Sequence, residues 1–394
     1  MDLSGLKFQS SSTYIVVGEI GRGGMGIVLL AEKNSEGVAD LVALKTIRTK
    51  SADHEMRLKQ EANIATGLRH ENIVKTYGLE AIPYGQLPAD FLQEFDKLSF
   101  EDARRSAILA RALPGGRFGD DKTRMRIVPQ STTEQKLYLM VMDYIEGTDV
   151  RTFQNEHFKR DLLLPVPLAA FIVSRVARSL AYAHQTIIHR DISPENLLLN
   201  TQGVVKLSDF GVAVEHKEPG LTGKISYMSP EQIAGEAVDA RTDIYSLGLV
   251  LYALLTGIFL QKVPARMAAA DRVGYVRRLL GRPFLPSHKV RIDVPEAISE
   301  ICMKMLAADR EKRFPRAETV ARDLEQKYLY AKGFGPTNNS LQAYLEMFDA
   351  QFKETTPEQL QQLPFLHGEL QRPLDPAHAF TAEGRRLLDD VLSR

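Results

Sequence analysis

The sequence holds a single cysteine, Cys302, in 394 residues. That excludes an internal disulfide and any cysteine-based zinc site, and it is compatible with a reducing compartment. Net charge is missing too: fifty Lys and Arg balance fifty Asp and Glu. No global field therefore draws in nucleic acid or anionic lipid. Long apolar runs are absent, the greasiest being the 14 residues Leu247–Leu260, a length that suits a buried core helix. The opening MDLSGLKFQSSSTY has no apolar core fit for a signal peptide. Together these absences predict a cytoplasmic chain with no nucleic-acid partner and no membrane span.

What is present is ordinary globular texture, 44% hydrophobic and 25% charged, in a chain long enough for about two to three compact units. Residues 14–48 alternate apolar runs with glycine, as YIVVGEI, GRGGMG, IVLLAEKN and LVALKTIR, which predicts three antiparallel strands joined by tight turns. A helix is expected at 52–68, with Met56, Ile64 and Leu68 among its apolar positions, then strands at 73–79 and 136–144. From about residue 165 the period becomes helical, as in LAAFIVSRVARSLAYAH at 168–184. A strand-rich part followed by a helix-rich part predicts an α+β chain in two lobes. Residues 81–135 interrupt the rhythm and include an expected helix that Ser99 can cap, with Asp102 three residues on, before RRSAILARAL. After Lys332, GFGPTNN breaks the chain, and a helix at 340–352 aligns Leu341, Tyr344, Leu345, Phe348 and Phe352 on one stripe. No internal repeat is found.

Several short motifs carry chemistry. GRGGMGIV spaces Gly21, Gly23 and Gly26 so that backbone can lie close over phosphates, where a Cβ would collide. A glycine-rich hairpin without a ligand has the same pattern. A dinucleotide fold is excluded, because it needs a helix where IVLLAEKN reads as a strand. Lys45, in VALK on the third strand, either snorkels to solvent or pairs with Glu61, 16 residues on, to hold phosphate oxygens. HRDISPEN (189–196) and KLSDFG (206–211) supply Asp191, Asn196 and Asp209, hard oxygen donors of the kind Mg²⁺ takes.

In this order and at this spacing, the set resembles the eukaryotic-type (Hanks-type) serine/threonine protein kinases, with a bacterial cast from GGMG and SPEQ. The likeness runs from about Tyr14 to about Tyr330 and also takes in His70, YMSPE, DIYSLG and Arg313. It implies the two-lobed protein-kinase fold, a small β-rich N-lobe with one key helix and a larger, mostly helical C-lobe. The lobes would be 14–145, with the insertion at about 81–135, and 146–330, flanked by an N-terminal segment 1–13 and a C-terminal helical extension 331–394. It further implies transfer of the γ-phosphate of Mg-ATP to serine or threonine of protein substrates.

Residue by residue, the resemblance makes Asp191 the acceptor or orienter of the substrate hydroxyl proton, positioned rather than strongly basic. Asn196 and Asp209 would hold Mg²⁺; Lys45, oriented by Glu61, would hold the α- and β-phosphates. The glycine loop Gly21, Arg22, Gly23, Gly24, Met25 and Gly26 would cover the phosphates. Adenine would lie between Ile20, Val28 and Ala43 above and Leu198 below, its edge bonded to backbone at Asp143 and Ile145, with Met142 as gatekeeper. Asp149 stands where a carboxylate often meets the ribose, Glu231 and Arg313 would form a buried pair, and Asp243 would brace the catalytic loop.

The chain departs from its family at two positions that should be neighbours: Ser193 replaces the usual catalytic-loop lysine, and Lys224 replaces the usual threonine. Either Lys224 supplies the missing charge from the opposite side, or it points to solvent and catalysis is weaker. The pattern SPEN differs from the alanine/arginine pattern of tyrosine kinases. Thr222 is a candidate for autophosphorylation beside Arg190. The insertion is a docking surface, a lid, or a family decoration; the tail helix packs on the helical lobe or meets a partner. Two rival functions stay open: a pseudokinase scaffold that binds nucleotide, and a small-molecule kinase of the same fold.

Overall fold

The computed structural model describes residues 4–23, 26–35, 37–47, 52–87, 92, 136–160, 162–210, 224–264, 266–333, 335–346 and 379–392. The bulk of the insertion, Gly24, Met25, Thr222, Phe348 and Phe352 lie outside them, as do the side chains of Glu61 and Lys224. The described residues fall into two compact units: 4–69 and 74–145 with Phe210, and 70–73, 146–209 and 224–392.

In the first unit, β1 (Lys7–Gln9), β2 (Thr13–Gly23), β3 (Gly26–Ser35), β4 (Val38–Ile47), β5 (Thr76–Pro83) and β6 (Lys136–Asp143) form an antiparallel sheet ordered β1-β2-β3-β4-β6-β5. α1 (Ala52–Gly67) lies between β4 and β5 in the chain. Side chains alternate across a strand, so Val16, Leu29, Val42, Leu44, Leu139 and Val141 fill the unit's core on one face. Val28, Ala43, Lys45, Met140 and Met142, at the intervening positions, share the other. β1 was not foreseen, since three residues are too few to show alternation. β5 begins three residues later than expected, because Ile73 belongs to the helical unit, where it bridges Leu207.

The helical unit opens with a small sheet, β7 (Gly147–Asp149), β8 (Leu197–Asn200) and β9 (Val205–Leu207). Its helices are α2 (Val150–Phe158), α3 (Val166–Ala183), α4 (Pro230–Ala234), α5 (Arg241–Thr256), α6 (Ala269–Leu280), α7 (Ser287–Val290), α8 (Glu296–Met305), α9 (Ala317–Leu324), α10 (Asn338–Glu346) and α11 (Ala382–Leu392). α3 is long and apolar enough to cross a membrane, but 78% of it is buried inside the unit. α5 contains most of the apolar run noted in the sequence and buries every residue from Thr242 to Thr256. It approaches α8 closely at Gly248, where an added Cβ would lie 2.9 Å from Met305 Cβ.

The tail returns to the helical unit. On α10, Leu341 and Tyr344 are buried, and the Tyr344 ring stacks on His157 at 5.8 Å between centroids. The Phe153 carbonyl, 2.8 Å from His157 Nδ1, is an acceptor only, so Nδ1 carries the proton and Nε2 accepts from the Tyr344 hydroxyl at 2.8 Å. The same helix passes over the β8–β9 turn at Gly203, whose φ of +72° is left-handed and whose added Cβ would sit 1.9 Å from the Asn338 carbonyl oxygen.

Two expectations follow. Gly203→Ala combines a left-handed backbone cost of about 1–2 kcal/mol with displacement of α10, so chemical denaturation should show a loss of at least about 2 kcal/mol; an unchanged midpoint would contradict this packing. Burial pushes the His157 pKa down from 6.5 to about 4. The unfolded chain then binds a proton that the native one does not, so stability should fall as pH drops from 6.5 towards 4, by roughly 3 kcal/mol at most. Melting curves across that window should show a smaller pH slope for His157→Phe.

Candidate active site

The strand-rich unit supplies the nucleotide-side candidates. Gly21 pairs with Val28 and Gly23 with Gly26, so the glycine motif is the tip of the β2–β3 hairpin. Ile20 falls at the register shift between Glu19 and Gly21 and is 45% exposed; such bulges re-aim side chains. Arg22 is turned back onto Glu19, Nη2 to Oε2 at 2.6 Å. Lys45 stands opposite Val28 on one side and Met140 on the other, and Ala43 stands opposite Met142. Lys45 is only 7% exposed, which excludes the snorkelled arrangement. At Asp143 the amide is committed to the Lys75 carbonyl at 2.9 Å, so only its carbonyl remains to meet a ligand edge. The Asp143 carboxylate accepts from the Tyr77 hydroxyl at 2.6 Å.

In the helical unit the loop 189–196 is suspended from Asp243. This carboxylate, fully buried near the start of α5, accepts the His189 amide at 2.8 Å, the Arg190 amide at 2.7 Å and a bond with His184 Nε2 at 2.8 Å. His189 Nε2 lies 2.8 Å from the Ser208 carbonyl, which can only accept. The ring therefore carries its proton there, leaving Nδ1 to accept the Asp191 amide at 3.3 Å.

Asn196 closes the loop on itself. Its Nδ2 donates to the Asp191 carbonyl at 2.7 Å and to Asp191 Oδ2 at 3.1 Å, while its own carbonyl accepts the Ser208 amide at 2.9 Å. β8 and β9 pair Leu197 with Leu207, so Asn196 falls opposite Ser208 and Asp209 lies one residue beyond. The structure thus brings Asp191, Asn196 and Asp209 onto one end of this small sheet. The Asn196 side-chain nitrogen donates to Asp191, and its amide oxygen and the Asp209 carboxylate are hard oxygen donors of the kind Mg²⁺ takes.

Arg190 and Asp209, at φ 65° and 68°, are the only non-glycine residues with positive φ among those described. Such strain gathers at functional sites and persists only where neighbours over-determine it. For Arg190 those neighbours are Asp243, on its amide, and Gln232, whose Nε2 donates to its carbonyl at 2.9 Å. Gln232 also completes the capping box of α4 with Ser229. Below it, Glu231 and Arg313 form a buried fork, Nη1–Oε1 2.7 Å and Nη2–Oε2 2.8 Å. Burial opposes ionisation of Glu231, but Arg313 and the Thr242 hydroxyl outweigh it and hold the carboxyl below its ordinary range.

Three placements were not legible in the sequence. Asp149 caps α2, accepting from the Thr152 amide at 2.9 Å and hydroxyl at 2.7 Å. His184 and Gln232 were missed; the S-P-E-Q capping pattern is the one signal for the latter. Leu198 pairs with Asp149 and Lys206 in the small sheet. Ser193 is fully buried, and its Oγ has no hydrogen-bond partner among the described residues. Lys224 opens a short 3₁₀ turn, Lys224–Tyr227.

The family model described as "protein kinase domain" matches residues 125–327. The tyrosine-protein kinase MasK of Myxococcus xanthus is 27% identical over 336 residues, covering 80% of this chain and 43% of that protein. The serine/threonine-protein kinase PrkC of Bacillus subtilis is 28% identical over 329 residues, covering 81% of this chain and 41% of that protein. This chain therefore spans less than half the length of these curated relatives. Among solved structures, the PknI kinase domain of Mycobacterium tuberculosis superposes with a TM-score of 0.51 at 22% identity, over 83% of this chain and all of that one.

Two substitutions probe the suspended loop. Asp243→Asn turns an acceptor into a donor against one of two backbone amides, and about 2–4 kcal/mol of stability should go with it. Glu231→Ala leaves the Arg313 guanidinium buried and unpaired, costing about 3–5 kcal/mol. Equilibrium denaturation measures both, and a loss under about 1 kcal/mol in either would show that the bonds do not carry the loop.

Proposed function

Because the chain belongs to the protein kinase domain family, we propose that it transfers the γ-phosphate of ATP to serine and threonine hydroxyls of other proteins. The observation that carries this reading is the Asn196 amide holding Asp191 while its backbone holds Ser208, which ties the HRD loop to the DFG strand. The tyrosine label of one relative and the serine/threonine label of another leave the acceptor to be argued from this chain, where SPEN lacks the alanine/arginine pattern of tyrosine kinases.

In this reading the substrate hydroxyl oxygen attacks the γ-phosphorus, the bond to the β,γ-bridging oxygen breaks, and ADP leaves. Asp191, its carboxylate steadied by Asn196, orients the hydroxyl and takes its proton late in the transfer. Lys45 holds phosphate oxygens from the face it shares with Val28 and Ala43, against which adenine rests. Asn196 and Asp209 would hold Mg²⁺, and the ion would supply neutralisation of charge on the phosphates. Lys224 supplies the positive charge that Ser193, at the usual lysine position, does not. The same proposal places the chain in the cytoplasm, where ATP is available, with proteins as its substrates.

Incubation with Mg²⁺, γ-labelled ATP and a mixed protein substrate should label serine and threonine. Asp191→Asn should lower turnover by a factor of about 100 or more, and label on tyrosine alone would overturn the acceptor assignment. Lys224→Ala should cut kcat by roughly 10- to 100-fold, with part of the loss restored by adding Ser193→Lys. Near-normal turnover in Lys224→Ala would remove that lysine from the mechanism.

A further inference from the structure

The helical unit carries a pocket that the reaction as described leaves without a role. Its volume is about 240 Å³, and its lining includes Arg151, Tyr227, Leu249, Phe259, Leu260 and Lys262. Leu249 and Leu260 are buried and make the walls apolar. The polar end is cationic. The Arg151 guanidinium lies 4.7 Å from the Phe259 ring centre and 5.5 Å from that of Tyr227, donating from Nε to Glu195 at 2.8 Å and from Nη2 to the Tyr227 hydroxyl at 2.7 Å.

Those contacts fix the guanidinium plane and leave Nη1 without a hydrogen-bond partner among the described residues. Since Tyr227 accepts from Arg151, its own hydroxyl proton is available to an acceptor. Lys262 makes no ion pair among the described residues, whereas Glu195, 46% exposed, is already engaged by Arg151. Two cations, Arg151 and Lys262, line the pocket and one of them is balanced by Glu195, which leaves an excess of one positive charge beside an apolar wall. That combination suits an anionic side chain with a short methylene stem.

The location connects the pocket to the transfer. Glu195 is the immediate neighbour of Asn196 and four residues from Asp191, and Tyr227 lies in the segment leading to Gln232, which holds the Arg190 carbonyl. A peptide whose hydroxyl sits at Asp191 advances about 3.3 Å per residue, so a residue close to the acceptor passes this opening. We infer that the pocket is a specificity site that takes the carboxylate of an aspartate or glutamate near the accepting serine or threonine. This deepens the kinase reading above and rests on it.

The test separates binding from transfer. Fluorescence anisotropy with the full chain, at low ionic strength, compares labelled peptides of alanine and glycine around one serine, with a single aspartate, lysine or phosphoserine walked along them. At one position aspartate should bind about tenfold tighter than alanine, and salt should erode the difference. Lys262→Glu should abolish that preference and favour lysine at the same position, and Lys262→Met should abolish it without reversal; an unchanged melting temperature certifies each fold. Equal binding of aspartate and alanine peptides, or tighter binding of lysine peptides by the unaltered chain, would sink the inference. So would phosphoserine binding without aspartate binding, since the site would then be built for a phosphoryl group. Labelled-phosphate transfer to the same peptides judges the kinase reading separately: transfer without acidic preference ends only the pocket, and acidic binding without transfer ends only the kinase.

Discussion

A carboxylate with no exposure to solvent, Asp243, sits within the first turn of a helix buried along nearly all its length, and the loop 189–196 hangs from it. Burying a carboxylate is costly unless its lone pairs are taken up. Here two successive backbone amides and one imidazole do so, and the helix N-terminus adds a favourable field. The requirement works in both directions. Satisfying Asp243 fixes the backbone at His189 and Arg190, and Arg190 adopts a left-handed conformation there. The position of Asp191 then follows from a buried charge rather than from its own contacts alone.

Around that anchor, each neighbouring segment is tied by a group that has a second duty. Gln232 caps its own helix and holds the Arg190 carbonyl; His189 joins the loop to Ser208 and receives the Asp191 amide. The Glu231–Arg313 fork closes the far side of the same helix. Groups shared in this way are pre-organised, and pre-organisation is what the proposed phosphoryl transfer would ask of the chain, since most of that catalysis is positioning and electrostatics. In the strand-rich unit the equivalent economy is the two-residue repeat of β4, which alternates Val42 and Leu44 into the core with Ala43 and Lys45 on the opposite face.

Much of this could be seen in the chain before it folds. Glycine spacing and strand alternation located the β2–β3 hairpin and Lys45, because both depend on local backbone geometry. The apolar run at Leu247–Leu260 pointed to a buried helix, and the long-range pair Glu231–Arg313 was legible through its motif. Edge strand β1, by contrast, is too short for a periodic signal, and the departure of Ile73 from β5 depends on a bridge to Leu207 far along the chain.

The sequence by itself singled out the residues to which the proposed chemistry is assigned, since Lys45, Asp191, Asn196 and Asp209 stand in motifs whose spacing is set by single turns and strands. Only tertiary structure decided what else those neighbourhoods use. His184 reaches Asp243 across 59 residues, His157 meets Tyr344 across 187, and Arg151 meets Tyr227 across 76. Asp149, a motif position, turned out to cap a helix as well. The physical reason is that backbone geometry repeats over a few residues, whereas the partner of a buried polar group is whichever acceptor packing brings within reach.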